Sequence, residues 1–432
     1  MVFHCFILYG SYGRQECLNY IETRGGKDFR DFCKNIILTG RIKDMSEYSH
    51  FLCNNILSFW LDNAIDEKNG GIYTQLDRTG KIYGTEKSVW FQGRALWSFM
   101  KAYNFIEKNP DYLSAAEKIY NFLPLCTDKD ARMFFTVTED GREIQKRRYY
   151  YSETFAAIGC AELYKATGRV DVINSAEKYF DTAYSVYTGI IKTTPKYNPD
   201  NAAYKALAPV MIMLSTAQVL RSTGVHYDKY NDICKKCVDE IIYGGYFKED
   251  LGGILENVGI NGEFVDTPTG RISNPGHGLE AAWFVMCEGI LTGNKEAIDF
   301  GTKLTDAQMK LGWDKVNGGI ISFTDISGYP PLALEWDMKL WWPQCEALIA
   351  NKVAYELTGD KKYSDNVKML IEYIEKYFVD EECGEWYGYL HYDNTVANTL
   401  KGNIFKGPFH IPRLYLILAS YEKNNSIKEY LK

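Results

Sequence analysis

Histidine is scarce in this chain, with six among 432 residues, and several other features are missing altogether. There is no basic cluster or long charge run, and the formal net charge is −7, which argues against nucleic acid or an anionic membrane as a main partner. No apolar run approaches the roughly 20 residues that a membrane-spanning helix needs. The opening MVFHCFILYG is apolar but short, lacks a basic flank and a small-residue cleavage site, and reads as neither signal peptide nor span. Eleven cysteines lie scattered without a framework pattern, which fits a reducing cytosol. Cys234-Lys-Lys-Cys237 has no second pair or nearby histidine, so a zinc site is not expected. Gly26-Lys27 and Gly80-Lys81 are followed by Asp28 and Ile82 where a nucleotide-cradling P-loop needs Ser or Thr. The run GHGLEA (276–281) fits a dinucleotide-binding pattern but has no strand–helix–strand context. No cofactor or metal is expected.

What the chain does have is aromatic side chains, 15% of residues, with 33 tyrosines and 9 tryptophans. Part of this must be core. Aromatic faces also stack on the C–H faces of sugars, so a carbohydrate-sized cleft is a candidate.

It also has a repeat. ATG (166–168), STG (222–224), LTG (291–293) and LTG (357–359) each close an apolar helical run, glycine being the residue a helix end favours in the left-handed region. In phase with them run NGGIYTQ near 70, ARMFFTVTEDG near 135, YTGIIKT near 189, LGGILEN near 252, NGGIISF near 318 and CGEWYGYL near 384, six glycine or β-type segments each placed before a helix. The helix before each such segment is amphipathic, clearest at Tyr363, Val367, Leu370, Ile371, Ile374 and Phe378. The helix after it is apolar nearly all round, as in FAAIGCAELY (155–164) and ALIANKVAYEL (347–357). The expected fold is all-α: an (α/α)6 toroid of six helix pairs, amphipathic outside and apolar inside, with short β segments in the loops at one end. An open solenoid is the structural alternative. One domain is expected over residues 45–432, with residues 1–44 a weakly ordered extension.

In a closed ring the starts of the inner helices converge on one mouth. Those starts read VWFQGRALW (89–97), RRYYYSETF (147–155), KYNPDNAAYKALAPVM (196–211), NPGHGLEAAW (274–283), KLWWPQCEAL (339–348) and KGPFHIPR (406–413). They carry two of the six histidines, His277 and His410, at equivalent positions two repeats apart. Around them stand Arg94, Glu153, Glu280, Gln344, Glu346 and Arg413, with Trp90, Trp341 and Trp342. Charged groups entering apolar helices are costly unless they pair or bind something. A structural ion-pair role therefore stays open for Glu153 and Glu346. His277 and Glu280 share a helix face, so the carboxylate can orient the imidazole or hold a substrate hydroxyl. His410 and Arg413 repeat that spacing, although Pro412 makes the start there less regular. Two imidazoles facing one cavity suit proton abstraction beside a carbonyl, one removing a proton and the other returning one to the far side, with inversion. Arg94 is a candidate stabiliser of the enediolate oxygen.

These same stretches, GRISNPGHGLEAAWF, LWWPQCEAL, GEWYGYL, KGPFHIPR, FQGRALW and YYYSETF, resemble the N-acylglucosamine 2-epimerase family, also called renin-binding proteins, from Met45 to about Ser420. The resemblance implies an (α/α)6 barrel that interconverts N-acetylglucosamine and N-acetylmannosamine through ring opening and deprotonation at C2. It puts the family's two histidines on His277 and His410, its arginine on Arg94 and its carboxylate on Glu280. It also implies a homodimer and leaves ATP open as an effector, while the cysteine pattern gives the expected location as cytoplasmic. Related cellobiose 2-epimerases and mannose isomerases carry a further histidine at the third inner helix. Residues 197–214 contain none, and ALAPVMIM is similar to the acylglucosamine branch. Two readings of another class remain: a glycoside hydrolase using Glu153, Glu280 or Glu346, since (α/α)6 toroids also host sugar-cleaving carboxylates, and a non-catalytic binding protein.

Overall fold

The computed structural model describes residues 46–432. The extension expected over residues 1–44 lies outside the described residues.

Thirteen α-helices account for six outer and six inner positions among the described residues. The first outer position is broken: α1 (Glu47–Phe51) and α2 (Ser58–Ala64) are joined by a widened π-helical stretch, Leu52–Leu57. Ser46 caps the start, its hydroxyl accepting the N–H of Ser49. The pairs then alternate without exception. The inner helices are α3 (Val89–Phe105), α5 (Tyr151–Thr167), α7 (Leu207–Arg221), α9 (Pro275–Thr292), α11 (Trp341–Thr358) and α13 (His410–Asn424). The outer ones are α4 (Pro110–Phe122), α6 (Val170–Tyr187), α8 (Tyr227–Tyr243), α10 (Lys295–Gly312) and α12 (Lys361–Tyr377).

Each inner helix touches the next, and α13 returns to touch α3. The ring is therefore closed, and the open solenoid is set aside. Burial follows the sequence pattern: α9 buries most of its residues on every side, whereas α12 buries Tyr363, Leu370, Tyr373 and Ile374 and turns its lysines outward. Val367 and Ile371 sit half-buried at the edge of that stripe.

Three of the Thr-Gly stops end their helices as expected. Gly168, Gly293 and Gly359 adopt left-handed φ of 66°, 72° and 66° with open space where a Cβ would stand, so backbone conformation alone demands glycine. At the fourth, α7 has already ended at Arg221, and Gly224 turns the chain two residues beyond its cap.

Every sheet has two or three very short strands, and a strand precedes each inner helix: Lys87–Ser88, Glu143–Gln145, Tyr204–Ala206, Ile272–Ser273, Lys339–Leu340 and Val396–Asn398. The glycine segments fold back on the ends of the outer helices, with antiparallel bridges Ile65 to Ile72, Thr127 to Met133, Trp313 to Ile320 and Val379 to Trp386. The segment at 187–193 differs. It forms no strand, and Ile190 stays exposed. No helix among the described residues is long and apolar enough to cross a membrane.

Candidate active site

The mouth is shaped by close backbone approaches at its two histidine-bearing helices. At the start of α9, Asn274 accepts the His277 N–H, Pro275 takes the first helical position where no N–H is needed, and Gly276 lies so near Trp342 that a Cβ would come within 2.6 Å of its ring. At the start of α13, Gly407 lies flat on Phe91, where a Cβ would fall 1.3 Å from the ring. The helix runs regularly from His410, because Pro412 sits in the first turn, where its missing N–H has no intrahelical partner to lose.

These approaches bring the two histidines to a single tryptophan. The Trp342 indole centre is 5.1 Å from the His277 ring and 5.7 Å from the His410 ring, tilted 39° and 40° to them. The Nδ1–H of His277 donates to Glu256 Oε1 at 2.8 Å, and the Nδ1–H of His410 donates to Glu346 Oε1 at 2.8 Å. An ionised carboxylate can only accept, so each pairing fixes its imidazole with Nε2 as the nitrogen left for chemistry.

Glu280 does not orient His277, contrary to the expectation from their spacing. Arg413 claims it: Nη2 donates to Glu280 Oε1 at 2.5 Å and to Glu346 Oε1 at 2.7 Å, and lies 3.2 Å from His410 Nδ1. Glu280, Glu346 and His410 offer ligand atoms close enough for a metal ion, but this guanidinium already pairs with both carboxylates.

The environments drive the two imidazoles apart. Burial depresses His277, but the Glu256 carboxylate at its Nδ1, with Glu280 and Glu346 beyond, outweighs it and raises the pKa above the usual value. Burial also depresses His410, and here the Arg413 and Arg94 cations and His277 reinforce it against Glu280, leaving the pKa well below the usual value. His277 keeps 29% of its side chain exposed and His410 only 9%.

Arg94 faces the chamber with no hydrogen-bonded carboxylate among the described residues. Its Nε is buried and unpartnered, and its guanidinium is framed by Phe155, Phe409 and Trp90 at 4.1, 5.0 and 5.5 Å. Burial lowers its pKa to about 9, against the pull of Glu280 and Glu346, and it stays cationic at neutral pH.

Three expected site residues are committed elsewhere. Glu153 is fully buried, accepting from Arg132 Nε at 2.5 Å and from the Met133 N–H at 2.9 Å. Gln344 clamps the Ile320 backbone through both its N–H and C=O, as Gln92 clamps Ile72 in the first repeat. Trp341 is buried against Tyr389 and reaches His410 only edge-on. Trp90, Trp342, Arg94 and Glu280 remain at the chamber, with Glu346 and Arg413 behind His410.

Sequence reasoning missed Glu256 and Tyr151. Tyr151 opens α5 beside Trp90, ring centres 5.6 Å apart, and its phenol is raised by burial and then by the Glu256 and Glu280 charges. Glu256 follows the LGGIL segment, and the hairpins that place such residues beside the next inner helix start were the signal available.

Comparison with known proteins bears on this arrangement. The sequence profile of N-acylglucosamine 2-epimerase (GlcNAc 2-epimerase) matches residues 71–409. The N-acylglucosamine 2-epimerase of Bos taurus is 33% identical over 379 residues, covering 83% of this chain and 87% of the bovine one. A cellobiose 2-epimerase of Dictyoglomus turgidum is 25% identical over 388 residues, covering 86% and 97%. The solved cellobiose 2-epimerase of Bacillus thermoamylovorans superposes with a TM-score of 0.76 at 21% identity, covering 87% of this chain and 98% of that one, and shares the fold. With its six closed helix pairs and paired imidazoles, this chain belongs to the N-acylglucosamine 2-epimerase family.

Proposed function

We propose that the protein interconverts N-acetylglucosamine and N-acetylmannosamine by moving a proton at C2 of the open-chain sugar. The observation that carries this reading is the pair of imidazoles held against one indole, each backed by its own carboxylate. His410, disposed to be neutral, takes the C2 proton on its Nε2. The electron pair left behind delocalises onto the C1 carbonyl oxygen as an enolate, whose negative charge Arg94 balances. His277, disposed to be protonated, delivers a proton to the opposite face of C2. One proton leaves, one arrives, and the configuration inverts without a cofactor. The reverse direction uses the same groups with their protonation exchanged.

Identity to acylglucosamine epimerases exceeds that to cellobiose epimerases, which supports the acylated monosaccharide as substrate. Hydrolysis is disfavoured, because Glu280 and Glu346 are both paired with Arg413 and Glu153 with Arg132, leaving no unpaired acid and base among the three. The scattered cysteines support a cytoplasmic protein, and the family a homodimer, which light scattering on the purified protein checks.

The test is C2 exchange in heavy water. N-acetylmannosamine should take up deuterium at C2 with the native protein, and both His277→Asn and His410→Asn should abolish uptake while remaining folded. Uptake retained in both variants removes the imidazoles from the mechanism.

A further inference from the structure

The end of the ring opposite the mouth is crossed by a strap. After α13 the chain turns at Asn425 and is tied to Glu356 of α11, which accepts from the Tyr421 hydroxyl at 2.8 Å, the Ser426 hydroxyl at 2.5 Å and the Ile427 N–H at 3.1 Å. It then spans the ring. Tyr430 lies under Lys101 of α3, the ammonium 5.0 Å from its ring centre, and Lys165 of α5 donates to the Lys432 carbonyl at 2.9 Å. The strap thus joins the fifth inner helix to the first and second.

Behind it is a cavity lined by Trp97, Phe284, Phe409 and Arg413, together with Tyr430 and Leu431 of the strap. Arg413 therefore has two sides. One holds Glu280 and Glu346 in the catalytic cluster. The other backs onto this cavity, with the guanidinium 4.9 Å from Phe409 and 5.1 Å from Trp283 and its Nε buried without a partner. Tyr430 is buried, and the groups around it are Lys101, Glu162, Arg413, Glu346 and Cys287.

We propose that Ser426–Lys432 forms the floor of the catalytic chamber and that Tyr430 is a positioning residue, which keeps water from beneath Arg413 and so holds Arg413, Glu346 and His410 in one fixed, dry arrangement. The catalytic meaning of this floor rests on the epimerase reading. Charge pairs in a water-excluded site act more strongly than in water, and a breach beneath Arg413 weakens both its grip on Glu346 and the desolvation of His410. No hydrogen bond of the phenol hydroxyl is seen among the described residues, so the ring does the sealing.

The test titrates His410 by NMR in protein carrying labelled histidine, with His410→Asn identifying its signal among six. His410 is surrounded by Arg413 on its own helix, Glu346 on α11, Glu280 and His277 on α9 and Arg94 on α3. In Tyr430→Ser its titration should move up towards the ordinary histidine range, and kcat should fall on the order of tenfold with KM little changed. Tyr430→Phe should match the parent in both. Tyr430→Val leaves a smaller breach and carries the same expectation should the serine variant not fold. A folded serine or valine variant whose His410 titrates as in the parent overturns the proposal, even if its melting temperature drops. The titration needs no substrate, so a parent protein that exchanges no C2 proton sinks the epimerase reading and leaves this result to stand separately.

Discussion

Glu256 reaches His277 from a hairpin 21 residues upstream and accepts its Nδ1–H at 2.8 Å. That bond fixes which nitrogen faces the chamber and supports the charge the ring carries. Glu256→Gln preserves shape and removes the charge, so kcat should fall about 100-fold with little change in KM, as measured by isotope exchange at C2. An unchanged rate would show that the imidazole needs no such partner.

The opposed pKa shifts set a pH window. His410, depressed below the usual histidine value, becomes protonated and inactive as a base only on the acid side of that value. His277, raised above it, loses its deliverable proton on the alkaline side. The rate should follow a bell with one limb on each side of about 6.5. A profile with a single ionisation across that range would contradict the assignment.

Arg413 pairs with two carboxylates, the partly buried Glu280 and the buried Glu346. Arg413→Met strands Glu346, which is fully buried, and should cost about 3–5 kcal/mol in denaturant unfolding. Arg413→Lys retains charge but not the flat fork, and should recover part of the stability and little of the turnover.

Gly276→Ala places a methyl 2.6 Å from the Trp342 ring at the point where both imidazoles meet it. Turnover should drop at least about tenfold, while unfolding shifts by no more than about 1–3 kcal/mol. Comparable loss in Gly359→Ala, far from the chamber and strained only in φ, would mean that general destabilisation explains the effect.

Glu153→Gln separates structure from chemistry. The carboxylate ties Arg132 and the Met133 N–H, so the variant should unfold more easily yet exchange C2 protons normally once folded. Loss of exchange with unchanged stability would return Glu153 to the reaction.

Period and punctuation made the architecture readable. Apolar periodicity separated α12 from α9, and glycine marked where inner helices stop, because both follow from local chain physics. The two histidines could be singled out because a closed ring brings equivalent helix starts together. Partner choice was less legible. Glu280 shares a helix face with His277, but Arg413, arriving from another helix 133 residues away, offers a full positive charge and takes it. Gln344 looked like a binding group and instead satisfies a backbone turn, a role visible only once Gln92 is seen repeating it. Such pairings depend on which side chains meet across the ring, and sequence spacing does not record that.

The unequal shelter of the two imidazoles also gives the reaction a memory. Each passage leaves the rings with their protons exchanged, so the protein departs from one epimer ready for the other. His277, nearer the solvent, can trade its hydrogen with the medium between encounters, whereas enclosed His410 retains the atom it took. Label drawn from water should therefore enter one epimer more readily than the other, and the direction of that imbalance reports which ring serves which face.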